Sequence, residues 1–307
     1  MSKIWDVSVI IPVFNGEKFL KETIDSVLLT REFTSTQIIV VNDGSTDSTA
    51  QILNKYIGKI EIINQKNRGQ ASAINCGLAM ASAKFTSIVN SDDPIYNPQI
   101  FKKSLDIFLH NNKIVATYPN WKMINDNSEI IREIEVAEFS REELIGGFNC
   151  IIGPGGVFKT QDAVVIGGWN SEYKFVPDYD FWLKLSNFGD FKKIPDYLAT
   201  WRYHNNSISI MSKGMAMANE RVKVMEEFLL NSHIEDGLKK RAKANSQYSA
   251  ALLSFFDKKV PGRKLFWNAV KIYPLVIKKK SIKQVIFLFL FPMSFHIVKK
   301  FKISPKF

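Results

Sequence analysis

The sequence predicts an α/β fold: a mainly parallel sheet flanked by helices, followed by a C-terminal helical extension. Three observations lead there. Short, almost wholly apolar runs rich in β-branched residues recur over residues 7–89, as in strands buried on both faces of a parallel sheet. Segments with helical periodicity separate them, and strand–helix–strand units of this length make right-handed crossovers. Over residues 215–273 the pattern is mostly helical.

Residues 7–14 (VSVIIPVF) are the first buried run, and Asn15-Gly16 behind it is a turn signal. Residues 17–29 carry Phe19, Leu20, Ile24, Val27 and Leu28 at helical spacing. Residues 37–41 are the second strand. It opens into the polar loop 42–49, where Thr46, Asp47 or Ser48 can cap a helix over 50–56. Residues 60–63 are the third strand, and Asn67-Arg68-Gly69-Gln70 leads into a helix over 71–81. Residues 85–89 are the fourth strand, stopped by Asn90-Ser91-Asp92-Asp93-Pro94.

The second half is less regular. A helix is expected over 101–109, a strand over 114–118 and a hairpin over 121–134 around Asn125-Asp126-Asn127. Residues 151–158 combine apolar side chains with a flexible glycine-rich turn, and Gly167-Gly168 is another turn. A helix follows whose first turn holds Asp178 and Asp180, then a strand over 196–203 that ends at His204. The helical extension is expected to break at Pro261-Gly262. These elements divide into a catalytic domain over 1–212, a helical extension over 213–280 and a tail over 281–307.

An apolar fraction of 46% and a charged fraction of 23% are those of a globular protein. Two distant cysteines, Cys76 and Cys150, argue against a disulfide scaffold and fit a reducing compartment. The first residues lack the apolar core of a signal peptide, so the catalytic part is expected in the cytoplasm. Residues 258–307 hold 13 Lys and Arg and no acid, which exceeds the net charge of +11, so residues 1–257 are slightly acidic. A nucleic-acid-binding domain is basic where it folds, so no nucleic-acid partner is expected. A basic tail with an apolar run over 285–298, too short to span a bilayer, reads instead as peripheral contact with the inner face of the cell membrane. A core helix packed on the domain, or a partner helix in an oligomer, are the other readings of that run.

The chemistry centres on Asp92-Asp93. Adjacent carboxylates at the end of a buried strand repel and cost desolvation, and a hard divalent cation such as Mn²⁺ or Mg²⁺ removes that repulsion. In a parallel sheet, ligands bind outside the carboxyl ends of the strands. Asp43, Arg68 and Asp92-Asp93 each follow an expected strand, so the sheet would gather all three on one rim.

These motifs resemble the family 2 glycosyltransferases with the GT-A nucleotide-sugar-binding fold. The resemblance rests on residues 7–15, Val41-Asn42-Asp43-Gly44-Ser45-Thr46-Asp47, Asn67-Arg68-Gly69, Asn90-Ser91-Asp92-Asp93, residues 178–183 (DYDFWL) and Tyr203-His204-Asn205-Asn206-Ser207, in that order across residues 5–209. It implies transfer of a sugar from a nucleotide-diphosphate donor, expected to be a UDP-sugar, to an acceptor hydroxyl with inversion, in bacterial surface polysaccharide or glycolipid assembly. The acceptor would be a saccharide or a lipid-linked saccharide. Asp43 would hydrogen-bond uracil or ribose, the backbone at Pro12, Val13, Phe14 and Asn15 would border the base, and Arg68 would approach the nucleotide. Asp92 would bind Mn²⁺ or Mg²⁺ on the diphosphate, with His204 on the metal or the diphosphate, and Asn90, Ser91 and Asp93 beside them. Asp178 would be the general base, with Asp180 nearby. Two departures from the commonest pattern stand out: Asn90 where an acid often opens the metal motif, and Pro177 where a Glu often precedes the base. Which of Asp92 and Asp93 ligates directly, and which of Asp178 and Asp180 is the base, stays open, with Asp178 preferred. Two other classes fit less well. A nucleotidyltransferase would want a glycine-rich phosphate loop that residues 15–18 imitate poorly, and a non-catalytic sugar-binding protein would not need both metal acids and a base.

Overall fold

A computed structural model of the chain describes residues 4–204, 214–254 and 262–277. They fall into two compact units, one holding residues 4–145 with 149–204, the other residues 146–148 with the C-terminal helices.

The first unit is an eight-stranded sheet. Its strands are β1 (Val7–Val13), β2 (Thr36–Asp43), β3 (Glu61–Gln65), β4 (Phe85–Ile88), β5 (Ile114–Ile124), β6 (Ile130–Ile134), β7 (Val157–Lys159) and β8 (Asp190–Arg202). The order is β3-β2-β1-β4-β7-β5-β6, with β8 on the other side of β5. β3, β2, β1 and β4 run parallel, β7 is antiparallel to β4 and β5, and β8 is parallel to β5. Every residue of β1 and β2 is buried, which is why those runs carry no polar alternation. The chain order reverses between β1 and β4, the place at the carboxyl ends of the strands where sheets of this kind bind ligands.

The connecting helices are α1 (Leu20–Leu29), α2 (Thr49–Asn54), α3 (Gln70–Met80), α4 (Ile100–His110), α5 (Arg141–Gly146), α6 (Thr160–Val165) and α7 (Pro177–Leu185). Leu20, Ile24 and Val27 of α1 and Phe101 and Phe108 of α4 join β1, β2 and β4 in one apolar core. Burial of each such side chain contributes roughly 1.5–3 kcal/mol.

Four expectations are corrected. α1 starts at Leu20 rather than residue 17, because the amide of Glu17 is used elsewhere, donating to Asp47 Oδ2 at 3.0 Å. The hairpin over 121–134 forms, but its first arm and the strand over 114–118 are one strand of 11 residues, β5, because Pro119 is absorbed where the β5–β8 register shifts. β8 begins at Asp190, not residue 196. Its first half carries Lys192 and Lys193, which pair with Glu138 and Glu135 and hide the strand pattern. The elements α5, α6 and β7 were not expected; none exceeds six residues.

The second unit contains α8 (Gly214–Leu230), α9 (Asp236–Ser254) and α10 (Gly262–Ile272). Tyr248, Phe266, Ala244, Ala251, Ala269 and Val276 form its own core. Asn245 Nδ2 donates to the Gly146 carbonyl at 2.7 Å and anchors residue 146 to this unit. Among the described residues no helix is long and apolar enough to cross a membrane. Pro261 and the tail over 281–307 lie outside the described residues.

Candidate active site

The loops after β1 and β2 are stitched to each other. Asn15, at φ 53°, accepts from the Thr46 amide at 2.8 Å and donates its own amide to Ser45 Oγ at 3.0 Å. Gly16 N donates to Thr49 Oγ1 at 2.9 Å, and Ser48 N donates to Glu17 Oε2 at 3.0 Å. Asp47 closes the set by accepting from the amides of Glu17 and Thr49 at 3.0 Å each, so it is Asp47 that satisfies the first turn of α2. Burial alone would raise its pKa. The Thr49 hydroxyl and the amides of Glu17 and Thr49 outweigh that and hold it below the usual carboxylate value.

Pro12 and Val13 are buried within β1, whereas the Phe14 ring is 51% exposed at its edge. Asp43, at the end of β2, is buried and clamps the next loop. Its Oδ1 accepts from Arg68 N at 2.9 Å and Gln65 Nε2 at 2.7 Å, and its Oδ2 from Gly69 N at 2.8 Å. Gly44 has φ 73°, and a Cβ there would lie 2.7 Å from Asn67 N, so only glycine lets the two loops approach this closely. The Arg68 side chain is exposed, with Nη2 3.3 Å from Gln65 Oε1.

After β4 the two aspartates part company. Asp93 is buried, with Oδ1 accepting from Arg202 N at 2.7 Å and Oδ2 from Asn90 Nδ2 at 2.9 Å. Burial first, and the charge of Asp92 second, push its pKa well above the usual carboxylate range. Asn90 in turn accepts from Gln70 Nε2 at 2.9 Å, so the amide that replaces an acid here joins a neutral hydrogen-bond chain. Asp92 faces outward with a side chain 29% exposed, and its Oδ2 lies 2.8 Å from His204 Nε2. Ser91 offers its carbonyl to Thr23 Oγ1 of α1 at 3.0 Å.

Beneath this corner lies Arg202, which sequence reasoning missed. It is fully buried. Its Nη2 pairs with Glu22 Oε2 at 2.7 Å, Nε donates to the Asp92 carbonyl at 2.9 Å, and Nη1 donates to the Asn125 carbonyl at 2.8 Å. The guanidinium also lies 4.3 Å from the centre of the Phe19 ring, which is 5.4 Å from the His204 ring. The sole signal in the sequence was an arginine in an apolar strand two residues before His204.

Asp178 is exposed at the first turn of α7, with Oδ1 accepting from the Tyr179 amide at 2.8 Å. Asp180 is buried and ion-paired to Lys184 at 2.7 Å, one turn along the same helix. α7 is fixed by Trp182, which meets Phe158 of β7 and Phe191 of β8 edge-on.

Among the described residues no cluster of three or more His, Cys, Asp and Glu side chains could hold a metal by itself. Asp92 and His204 offer one carboxylate and one imidazole on adjoining, partly exposed positions. That pair suits Mn²⁺ or Mg²⁺ when diphosphate oxygens and water complete the coordination.

Asn15, Asp43, Asp92 and His204 stand at or just past the ends of the parallel strands β1, β2, β4 and β8, in an α/β architecture of GT-A type. Residues 8–155 match the model described as glycosyl transferase family 2. It is 29% identical over 222 residues to the hyaluronan synthase of Pasteurella multocida, covering 71% of this chain and 22% of that protein. It is 33% identical over 192 residues to an uncharacterized glycosyltransferase of Rickettsia prowazekii, covering 58% of each. The chain thus spans less than two thirds of either relative. In fold it is similar to S. aureus TarS solved in complex with UDP-GlcNAc: TM-score 0.66, 20% identity, 89% of this chain and 81% of that one. It is also similar to the mannosyltransferase PcManGT of Pyrobaculum calidifontis in complex with GDP-Man and Mn²⁺: TM-score 0.60, 13% identity, 94% and 79% of the two chains.

Proposed function

We propose that the protein is an inverting, metal-dependent glycosyltransferase that moves a sugar from a UDP-sugar to a hydroxyl of a saccharide or lipid-linked saccharide acceptor, in polysaccharide or glycolipid assembly. The observation that carries this reading is the outward Asp92 carboxylate facing His204 beside the β1/β4 reversal, while Asp93 is turned inward. The family 2 match and the nucleotide-sugar complexes of TarS and PcManGT support it.

In this reading the nucleoside lies between the edge of β1 at Phe14–Asn15 and the loop that Asp43 holds. Arg68, exposed on that loop, offers a cation to the nucleotide. Asp92 and His204 would hold Mn²⁺ or Mg²⁺, which would offset the charge that grows on the leaving diphosphate. Asp178, exposed where α7 starts, takes the proton of the acceptor hydroxyl as that oxygen attacks the anomeric carbon from the face opposite the diphosphate. Attack from that face inverts the anomeric centre. Asp93 contributes by position: buried and held by Arg202 N and Asn90 Nδ2, it fixes the turn from which Asp92 projects.

The test is a melting-temperature panel of UDP, GDP and dTDP with Mn²⁺, joined to a donor-hydrolysis assay. UDP with metal is expected to raise the melting temperature most, since binding to the native state stabilises it. Asp92→Ala should abolish hydrolysis while retaining a cooperative melt. Full turnover in excess chelator would overturn metal dependence, and a stronger response to GDP would overturn the choice of nucleotide.

A further inference from the structure

One face of the β5–β8 ribbon carries a row of aromatic rings that the reaction described above does not use. Trp121 of β5 and Trp201 of β8 meet edge-on at 6.1 Å, and Trp201 meets Tyr203 edge-on at 6.3 Å. The β5–β8 register pairs Trp121 with Ala199 and Met123 with Trp201, so these side chains share a face, opposite to buried Arg202. The row emerges from the core: Trp121 packs against its edge. Trp121 and Trp201 are half-buried, and Tyr203 is 46% exposed. Their polar tips are idle: no indole N–H of Trp121 or Trp201 and no Tyr203 hydroxyl makes a hydrogen bond among the described residues, and none of these atoms is buried.

The row is also in a definite place. At one end Tyr203 is followed by His204, which faces Asp92. At the other end a Cβ on Gly153 would lie 2.6 Å from Trp121 Nε1, so the 153–156 loop lies directly against the ring. The far end of that loop touches α7, since a Cβ on Gly156 would lie 3.1 Å from the Trp182 ring. The aromatic row therefore runs from the residue proposed to face the diphosphate toward the loop that supports the helix of Asp178. With no side chain at Gly153, the loop meets the Trp121 ring through backbone alone, and Tyr203 at the other end of the row is 46% exposed.

Partly exposed rings with unused N–H and O–H tips suit a ligand that is apolar on its faces and hydroxylated at its edges. Sugar rings have that character: their C–H faces stack on aromatic rings while their hydroxyls meet the polar tips. An acyl chain would use the rings and leave the tips unsatisfied. We infer that Trp121, Trp201 and Tyr203 form the subsite that receives the saccharide end of the acceptor, laying its terminal sugar between His204 and the start of α7. The inference rests on the glycosyltransferase reading and names the substrate class of the same site.

The experiment titrates the full-length protein, with UDP and Mn²⁺ present, against neutral and acidic oligosaccharides of two to six sugars, hyaluronan tetrasaccharide among them. Tryptophan emission is the readout, because two of the chain's six tryptophans lie in the row. At least one oligosaccharide should give a saturable change. Tyr203→Ala should weaken that binding about tenfold or more, the loss of one stacked ring at about 1–1.5 kcal/mol, and Tyr203→Phe, which keeps the ring, should recover most of it. UDP affinity by calorimetry should be the same in the three proteins. No response to any oligosaccharide, a response only to a long-chain amphiphile, or saccharide binding untouched by Tyr203→Ala would each overturn the subsite while leaving the donor reading intact. Failure of UDP to bind the unaltered protein would instead overturn the reading on which it rests.

Discussion

Single residues at this site divide into those that face outward and those that hold them there. Asp178 and Asp180 make the contrast testable. Asp180 is buried and paired with Lys184, so Asp180→Asn should lower stability by about 1–3 kcal/mol, the cost of weakening a buried charge-assisted contact, as measured by urea unfolding. Asp178 is exposed, so Asp178→Asn should leave stability and UDP affinity nearly unchanged and cut turnover steeply. The opposite pattern would make Asp180 the base. Glu22 belongs to the holding group. Its carboxylate is 42% exposed and so partly screened, and Glu22→Gln, which removes the charge that meets the buried Arg202 guanidinium, should cost about 1–2 kcal/mol, or several degrees in melting temperature. A melt unchanged by that substitution would refute the role given to the pair. Sequence alone picked out Asp92, His204 and Asp178 because reactive side chains at strand and helix ends follow recognisable motifs. It missed Arg202 and the clamping role of Asp43, because their partners, many of them backbone atoms, lie 22 to 180 positions away. No local pattern encodes those contacts.

At the scale of elements, the parallel strands were readable because burial on both faces leaves an unbroken apolar stretch, as at residues 9–13 of β1 and 38–41 of β2. α5, α6 and β7 were not, since three to six residues are too few to show a period. The junction of the β1 and β2 loops with α2 depends on Asp47. Asp47→Ala removes two amide contacts, one of them at the start of α2, and the Thr49 hydroxyl contact, and should cost about 1 kcal/mol and weaken UDP binding. The pH dependence follows from the sign of the shift. A carboxylate whose folded pKa is depressed contributes its full stabilisation above its unfolded value, near 3.8, and loses it as pH falls through the lower folded value. The difference in melting temperature between the unaltered protein and Asp47→Ala should therefore be constant from pH 5 to 8 and shrink below about pH 4. A difference that grows in acid would show that the carboxylate is not what holds the junction.

For the whole molecule, the basic tail supplies the prediction that the sequence makes without help from the described residues. Full-length protein should pellet with anionic vesicles, and a chain ending at Lys280 should pellet much less while still hydrolysing donor. Equal pelleting, or a truncated chain that fails to fold, would favour a packed helix in its place. Arg202 has a different kind of consequence, one of timing. Its pairing with Glu22 joins positions 180 residues apart, and His204 meets Asp92 across 112. The four parallel strands β3, β2, β1 and β4 are all complete by Ile88. During synthesis, at about 5–20 residues per second, that half can assemble several seconds before β8 leaves the ribosome. The corner where Asp92 meets His204 can thus close only after the strands beneath it have been made.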